Sequence, residues 1–300
     1  MTEQETQGGD EHVHLRKTVD QLRLSGRTAS VEIDGVTLDY WIMGTGSQTM
    51  VFLHGNSCAK EVFYRQFEYF SDADLTLIAI DLPGHGGSGD AIDPEVQYTI
   101  PGYAKIVSHA LEALNLRNYL LVGWSLGGNI ALEMAGNGDP ISAMLLMGAP
   151  PVGPGPDNFE KAYLPSIIEA AGANDEARED EVIAFAKSIY ALLDPIPKHF
   201  LDTALRTDGR AREIMMSHWL SSKNGHDQIK TAENWDKPIC VVHGQEEPFV
   251  SLSYLQGVAW RNLWDGRVQL LPQGAHAPFV ESPDRFNALL DRFISDVCDS

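Results

Sequence analysis

The sequence predicts an α/β fold, a mostly parallel, doubly wound sheet with an inserted helical cap, and three observations carry that prediction. Strand-length apolar runs alternate with helix-like runs from about residue 49 to residue 147, and the alternation resumes at residue 237. One of these strands enters Gly123-Trp124-Ser125-Leu126-Gly127-Gly128, and a helix-like run leaves it. Between residues 151 and 233 helical periodicity continues without a convincing strand. The expected organisation is an amino-terminal tail and arm over residues 1–27, one core built from 28–150 and 234–300, and a cap inserted at 151–233.

In order along the chain, residues 1–11 are polar and acidic, a composition that buries too little surface to offset ordering. His12 and His14 follow without further metal ligands, and Leu15 to Leu24 has the periodicity of a helical arm. From Thr28 the pattern alternates through Val31 and Ile33, turns at Asp34-Gly35 and alternates again to Ile42, which reads as an antiparallel hairpin at a sheet edge. Thr49 to Leu53 is a short apolar run of the kind buried on both faces, and it ends at His54-Gly55-Asn56-Ser57. Leu75 to Ile80 is another, running into the glycine-rich Asp81-Leu82-Pro83-Gly84-His85-Gly86-Gly87-Ser88-Gly89. A single histidine in such a loop, His85, reads as a structural residue.

The helix Ile100 to Leu114 precedes the strand Asn118 to Val122, which enters the G-x-S-x-G turn. A strand-to-helix turn this sharp tolerates little beyond glycine at its flanks and lifts the central hydroxyl above the sheet, so Ser125 is the expected nucleophile. The turn after the first core strand would supply backbone N–H groups beside it, which makes the Asn56 and Leu126 amides the expected oxyanion hole. Ala143 to Met147 is the next strand, and Gly148 to Pro156 ends the alternation. Five helical segments follow: Phe159 to Ala171, Asp175 to Leu193, Pro197 to Arg206, Gly209 to Leu220 and one near Gln228. Folded over the nucleophile they would exclude water and line an acyl pocket with Phe159, Tyr163, Phe185, Tyr190, Met215 or Trp219. Trp124, Phe185, Tyr190 and Trp219 are the candidate substrate contacts.

The core resumes with Lys237 to Gly244, after which a carboxylate is expected. Glu247 suits the position best, since it follows the strand by a short turn; Glu246 and Asp157 are the alternatives. His276 follows the last strand, Arg267 to Leu271, on a loop. The order serine, acid, histidine is the order in which strand–turn–helix folds of this type arrange a nucleophile, its orienter and its base.

Composition narrows the partners. Three hundred residues with 43% hydrophobic content can bury a large core. A net charge of −20 would repel nucleic acid and anionic membranes, which leaves a neutral small molecule as the expected ligand. Cys58, Cys240 and Cys298 are odd in number and widely spaced, as in a reduced, cytoplasmic protein. No apolar run approaches the roughly 18 residues of a membrane span.

From Val31 to Val297 these residues resemble the α/β-hydrolase superfamily. Six segments resemble more narrowly its metal-independent N-acylhomoserine lactonases: His54-Gly55-Asn56-Ser57, Asp81 to Gly86 with Asp90 to Pro94, the serine turn, Arg206-Thr207-Asp208-Gly209-Arg210-Ala211-Arg212, Glu247-Pro248-Phe249-Val250 and His276-Ala277-Pro278-Phe279. The resemblance implies a serine hydrolase with Ser125 as nucleophile, His276 as base, Glu247 as its acid, Asn56 in the oxyanion hole, and no cofactor or metal. It implies an acyl ester or lactone substrate and leaves monomer and homodimer both open. Two positions depart from the pattern: Gly274-Ala275-His276 stands where Ala-Gly-His is common, and Phe185 falls where those lactonases carry a substrate-side tyrosine. A carboxylesterase, an amidase, or a receptor on the same scaffold would share the triad.

Overall fold

The computed structural model describes residues 26–165, 177–221 and 225–298. The predicted arm, with His12 and His14, lies outside the described residues.

Among the described residues, eight strands form one sheet: β1 (Arg27–Ile33), β2 (Val36–Met43), β3 (Gln48–Leu53), β4 (Leu75–Ile80), β5 (Tyr119–Trp124), β6 (Ile141–Met147), β7 (Ile239–Gly244) and β8 (Gln269–Leu271). Their spatial order is β1-β2-β4-β3-β5-β6-β7-β8. The hairpin β1–β2 joins β4 antiparallel, and every later pairing is parallel. Among the described residues the α-helices are α1 (Tyr64–Tyr69), α2 (Pro94–Gln97), α3 (Ile100–Ala113), α4 (Leu126–Asn137), α5 (Pro156–Ala162), α6 (Glu179–Ile189), α7 (Lys198–Arg206), α8 (Gly209–Leu220), α9 (Gln228–Asn234), α10 (Leu252–Gly257), α11 (Pro278–Glu281) and α12 (Pro283–Cys298).

Covered sheets need apolar side chains on both sides of each strand, and β5 and β7 are buried at every position. The edge strand β1, by contrast, is half exposed. One continuous apolar core runs through the sheet and out into α5, α6 and α8, so the helices between β6 and β7 share the core of the strands. The ends of the predicted segments differ from the observed ones. Of the helix expected over Phe159 to Ala171, the part up to Ala162 is helical and begins earlier, at Pro156, while 166–171 lie outside the described residues; the one expected from Asp175, itself outside them, is helical over Glu179–Ile189.

Parallel strands all present their carboxyl ends on one side, so β3, β5, β7 and β8 deliver their following loops to one place. Those loops carry Asn56, Ser125, Glu247 and His276. No described helix is long and apolar enough to cross a membrane.

Candidate active site

Ser125 occupies the turn between β5 and α4 with φ 52° and ψ −120°, a backbone conformation unusual for a side-chain-bearing residue. Its N–H donates to Met147 O at 2.8 Å, which pins the turn to the neighbouring strand. Glycine is required beside it for lack of room: a Cβ on Gly127 would sit 2.2 Å from Leu53 O, and one on Gly123 2.6 Å from Gly128 Cα. Leu126 opens α4, so its N–H has no acceptor within the helix.

His276 and Glu247 meet across the ends of β7 and β8. Nδ1 of His276 lies 2.9 and 3.0 Å from the two Glu247 oxygens, and Phe249 N–H donates to the same carboxylate at 2.9 Å. Both side chains are almost fully buried. Burial alone would raise the Glu247 carboxyl, but the His276 charge and these donors outweigh it and hold it below the usual carboxylate range. Of the alternative acids, Glu246 and Asp157 are both exposed.

Three further contacts orient the imidazole. Trp124 Nε1–H donates to His276 O at 2.7 Å, the Phe249 ring stands edge-on to the imidazole at 4.9 Å, and Gly148 closes the side where a Cβ would lie 2.6 Å from Cε1. Gly148 and Phe249 were invisible as site residues in the sequence. Both precede or follow ordinary strands, and only the packing of β6 and β7 against the His276 loop reveals what they do.

Ser125, His276, Asn56 and Leu126 line one cavity, together with Trp124, Phe185 and Trp219 from the predicted pocket set. Tyr163 and Met215 line it too, and Ile189, Met216 and Phe249 complete its apolar wall. Two predicted pocket residues lie elsewhere. Phe185 and Ile189 are one helical turn apart and face the cavity together, whereas Tyr190 is rotated off that face by about 100°. Its ring stacks on Phe200 at 4.9 Å and its hydroxyl meets Cys58 Sγ at 3.3 Å, so Tyr190 is a packing residue and not a wall of the cavity. Phe159 stacks behind Tyr163 at 4.6 Å.

Behind the Asn56 turn lies a buried charge cluster. Lys60 Nζ is 2.6 Å from both Asp39 and Asp81 and 3.2 Å from Glu61, with Lys60 itself only 3% exposed. Asp81 also accepts from the backbone N–H groups of Lys60 and Gly87. Burial pushes the Asp81 carboxyl up to about 6, while the surrounding carboxylates overcome burial and hold Lys60 above the ordinary lysine range, so both are charged at neutral pH. Among the described residues, no group of three or more His, Cys, Asp or Glu is placed to hold a metal ion.

His54 and His85 lie nearby with their rings 5.3 Å apart, and neither lines the cavity. Burial pushes them down to about 3 and about 4. A histidine lowered in the fold binds its proton in the unfolded chain first, so stability is complete above the unfolded value near 6.5 and is lost as pH falls below it. At about pH 5 His85 alone should cost about 2 kcal/mol. His85→Gln should therefore be less acid-sensitive than the parent by that amount, read from urea unfolding at about pH 7.5 and pH 5. Equal acid sensitivity of the two proteins would refute the assignment.

The comparisons agree with this architecture. The profile of the alpha/beta hydrolase fold matches residues 48–283. A crystal structure of a mutant N-acyl homoserine lactonase AidH complexed with N-hexanoyl homoserine lactone superposes with a TM-score of 0.84 at 32% identity, covering 90% of this chain and 98% of that one. Another AidH structure, complexed with N-butanoyl homoserine, gives 0.84 at 33% identity, covering 90% and 97%. Among curated proteins, the pimeloyl-acyl-carrier-protein methyl ester esterase of Stenotrophomonas maltophilia is 25% identical over 256 residues, covering 82% of this chain and 92% of its own. The non-heme chloroperoxidase of Burkholderia pyrrocinia is 25% identical over 276 residues, covering 83% and 92%. From the profile match, the sheet order and the serine turn at the end of β5, the chain belongs to the α/β hydrolase family and resembles AidH within it.

Proposed function

We propose that this protein is a serine hydrolase that opens the lactone ring of N-acylhomoserine lactones through an acyl-enzyme. The observation that carries the reading is that His276, held at 2.9 Å by Glu247 behind it, lines the same apolar cavity as Ser125, Asn56 and Leu126. The likeness to AidH at 32–33% identity supports the choice of lactone.

In this mechanism the Ser125 hydroxyl attacks the ring carbonyl as His276 Nε2 takes its proton. Glu247 accepts from Nδ1–H, which leaves Nε2 as the basic nitrogen and stabilises the imidazolium. The Asn56 and Leu126 N–H groups receive the charge that develops on the carbonyl oxygen, worth roughly 3 to 4 kcal/mol per donor. The ring C–O bond breaks and His276 returns the proton to the departing ring oxygen, which stays tethered through the homoserine skeleton. Water, deprotonated by His276, then releases the open hydroxy acid. The helices between β6 and β7 act as a cap, their Phe185, Ile189, Met215 and Met216 side chains packing against the acyl chain and excluding bulk water.

The esterase relative keeps one other reading in play, in which the same triad cleaves an open-chain ester, because cavity shape rather than the triad selects the carbonyl. Mass spectrometry after incubation with N-butanoyl and N-hexanoyl homoserine lactones separates the two. Lactone opening adds one water to the intact molecule. Turnover of p-nitrophenyl esters with the lactones left unchanged would move the assignment to an esterase.

A further inference from the structure

The end of α6 touches both loops that the proposed chemistry uses. Cys58, two residues beyond Asn56, places its Sγ 3.3 Å from Asn56 O and 3.3 Å from the Tyr190 hydroxyl. A thiol has one proton, so the geometry in which Sγ–H donates to Asn56 O leaves the Tyr190 O–H to donate to sulfur. Two residues on, Leu192 N–H donates to one Glu281 oxygen at 3.2 Å, and the other Glu281 oxygen accepts from Ala275 N–H, next to His276, at 2.6 Å. Leu193 N–H donates back to Tyr190 O, which makes residues 190–193 a single turn.

We propose that this turn is a latch, with Tyr190 and Glu281 as positioning residues that hold the oxyanion loop and the base loop in register with each other. Both loops need holding. Ser57 and Gln273 adopt positive φ, 58° each, a conformation that persists only where the surroundings over-determine it. Ile189, immediately before the latch, lines the cavity. An acyl chain seated against Ile189 therefore bears on the element that sets both loops. Neither positioning residue reaches the cavity itself, so the latch acts on turnover and leaves substrate contacts in place.

The inference rests on the serine-hydrolase reading for its kinetic consequence but not for its mechanical one, and the test has an arm for each. Tyr190→Phe removes one oxygen and keeps the ring stacked on Phe200; Glu281→Gln sets an amide N–H against one of the two backbone donors. Each single variant should lower kcat about fivefold to tenfold with KM nearly unchanged. Two contacts in one latch are not independent, so the double variant should lose no more than the worse single. Amide exchange at Ala275 should quicken about fivefold in Tyr190→Phe, although residue 190 does not touch that loop. Unchanged kcat in correctly folded single variants, losses that multiply in the double, or Ala275 exchange unaltered in Tyr190→Phe would each overturn the latch. Failure of the parent protein to hydrolyse any ester or lactone would instead sink the serine-hydrolase reading, while the exchange experiment would still decide the latch.

Discussion

Ser125→Ala is expected to lower kcat by about five to six orders of magnitude, with the fold intact, because losing the nucleophile of such a triad costs as much as losing the whole triad. The oxyanion donors and the cavity remain, so a residual rate of about 10³ over the uncatalysed reaction should persist. The variant should also bind substrate without consuming it. Its stability should be close to the parent's, since the substitution removes one oxygen from a half-buried position. Steady-state kinetics with N-hexanoyl homoserine lactone, beside thermal unfolding, reads both quantities. A variant that turns over at more than a hundredth of the parent rate would rule out Ser125 as the nucleophile.

Lys60→Met is expected to give a large loss of stability. The ammonium is the shared partner of Asp39, Asp81 and Glu61, and without it three carboxylates would face one another in a space where Asp81 is fully buried. Removing one member of a buried ion cluster typically costs about 3 to 5 kcal/mol, because the remaining charges lose their compensation and not merely their attraction. For a chain of this size that is a fall of about 5 to 8 °C in Tm. The deficit should be greatest at neutral pH and should shrink in acid, where Asp81, already pushed up to about 6, takes a proton and relieves the repulsion. Loss of less than about 1 kcal/mol at pH 7, measured by denaturant unfolding, would show that the cluster is not a structural anchor of the Asn56 loop.

Most of the sheet was legible because buried parallel strands must be apolar on both faces. Runs such as Leu75 to Ile80 and Ala143 to Met147 announce themselves in any order-of-residues reading. Element ends were less so. Pro156 begins α5 three residues ahead of the expected start at Phe159, since proline at the first helical turn loses no hydrogen bond and periodicity does not register it. The site candidates were legible for a related reason: serine, acid and histidine each follow a strand, and parallel strands bring their carboxyl ends together.

The amino-acid sequence by itself determined the alternation of elements, the glycine-flanked turn that holds Ser125, and the order of Ser125, Glu247 and His276 along the chain. These are local properties, written in hydrophobic period and in steric tolerance at single residues. The tertiary structure alone decided that Tyr190 turns away from the cavity while Ile189 beside it turns in, that Gly148 and Phe249 orient the His276 ring, and that Lys60 gathers Asp39 and Asp81 from two other parts of the fold. Each of these depends on the rotation of one element against another. That rotation is selected by the whole packed core at once, and no window of neighbouring residues contains it.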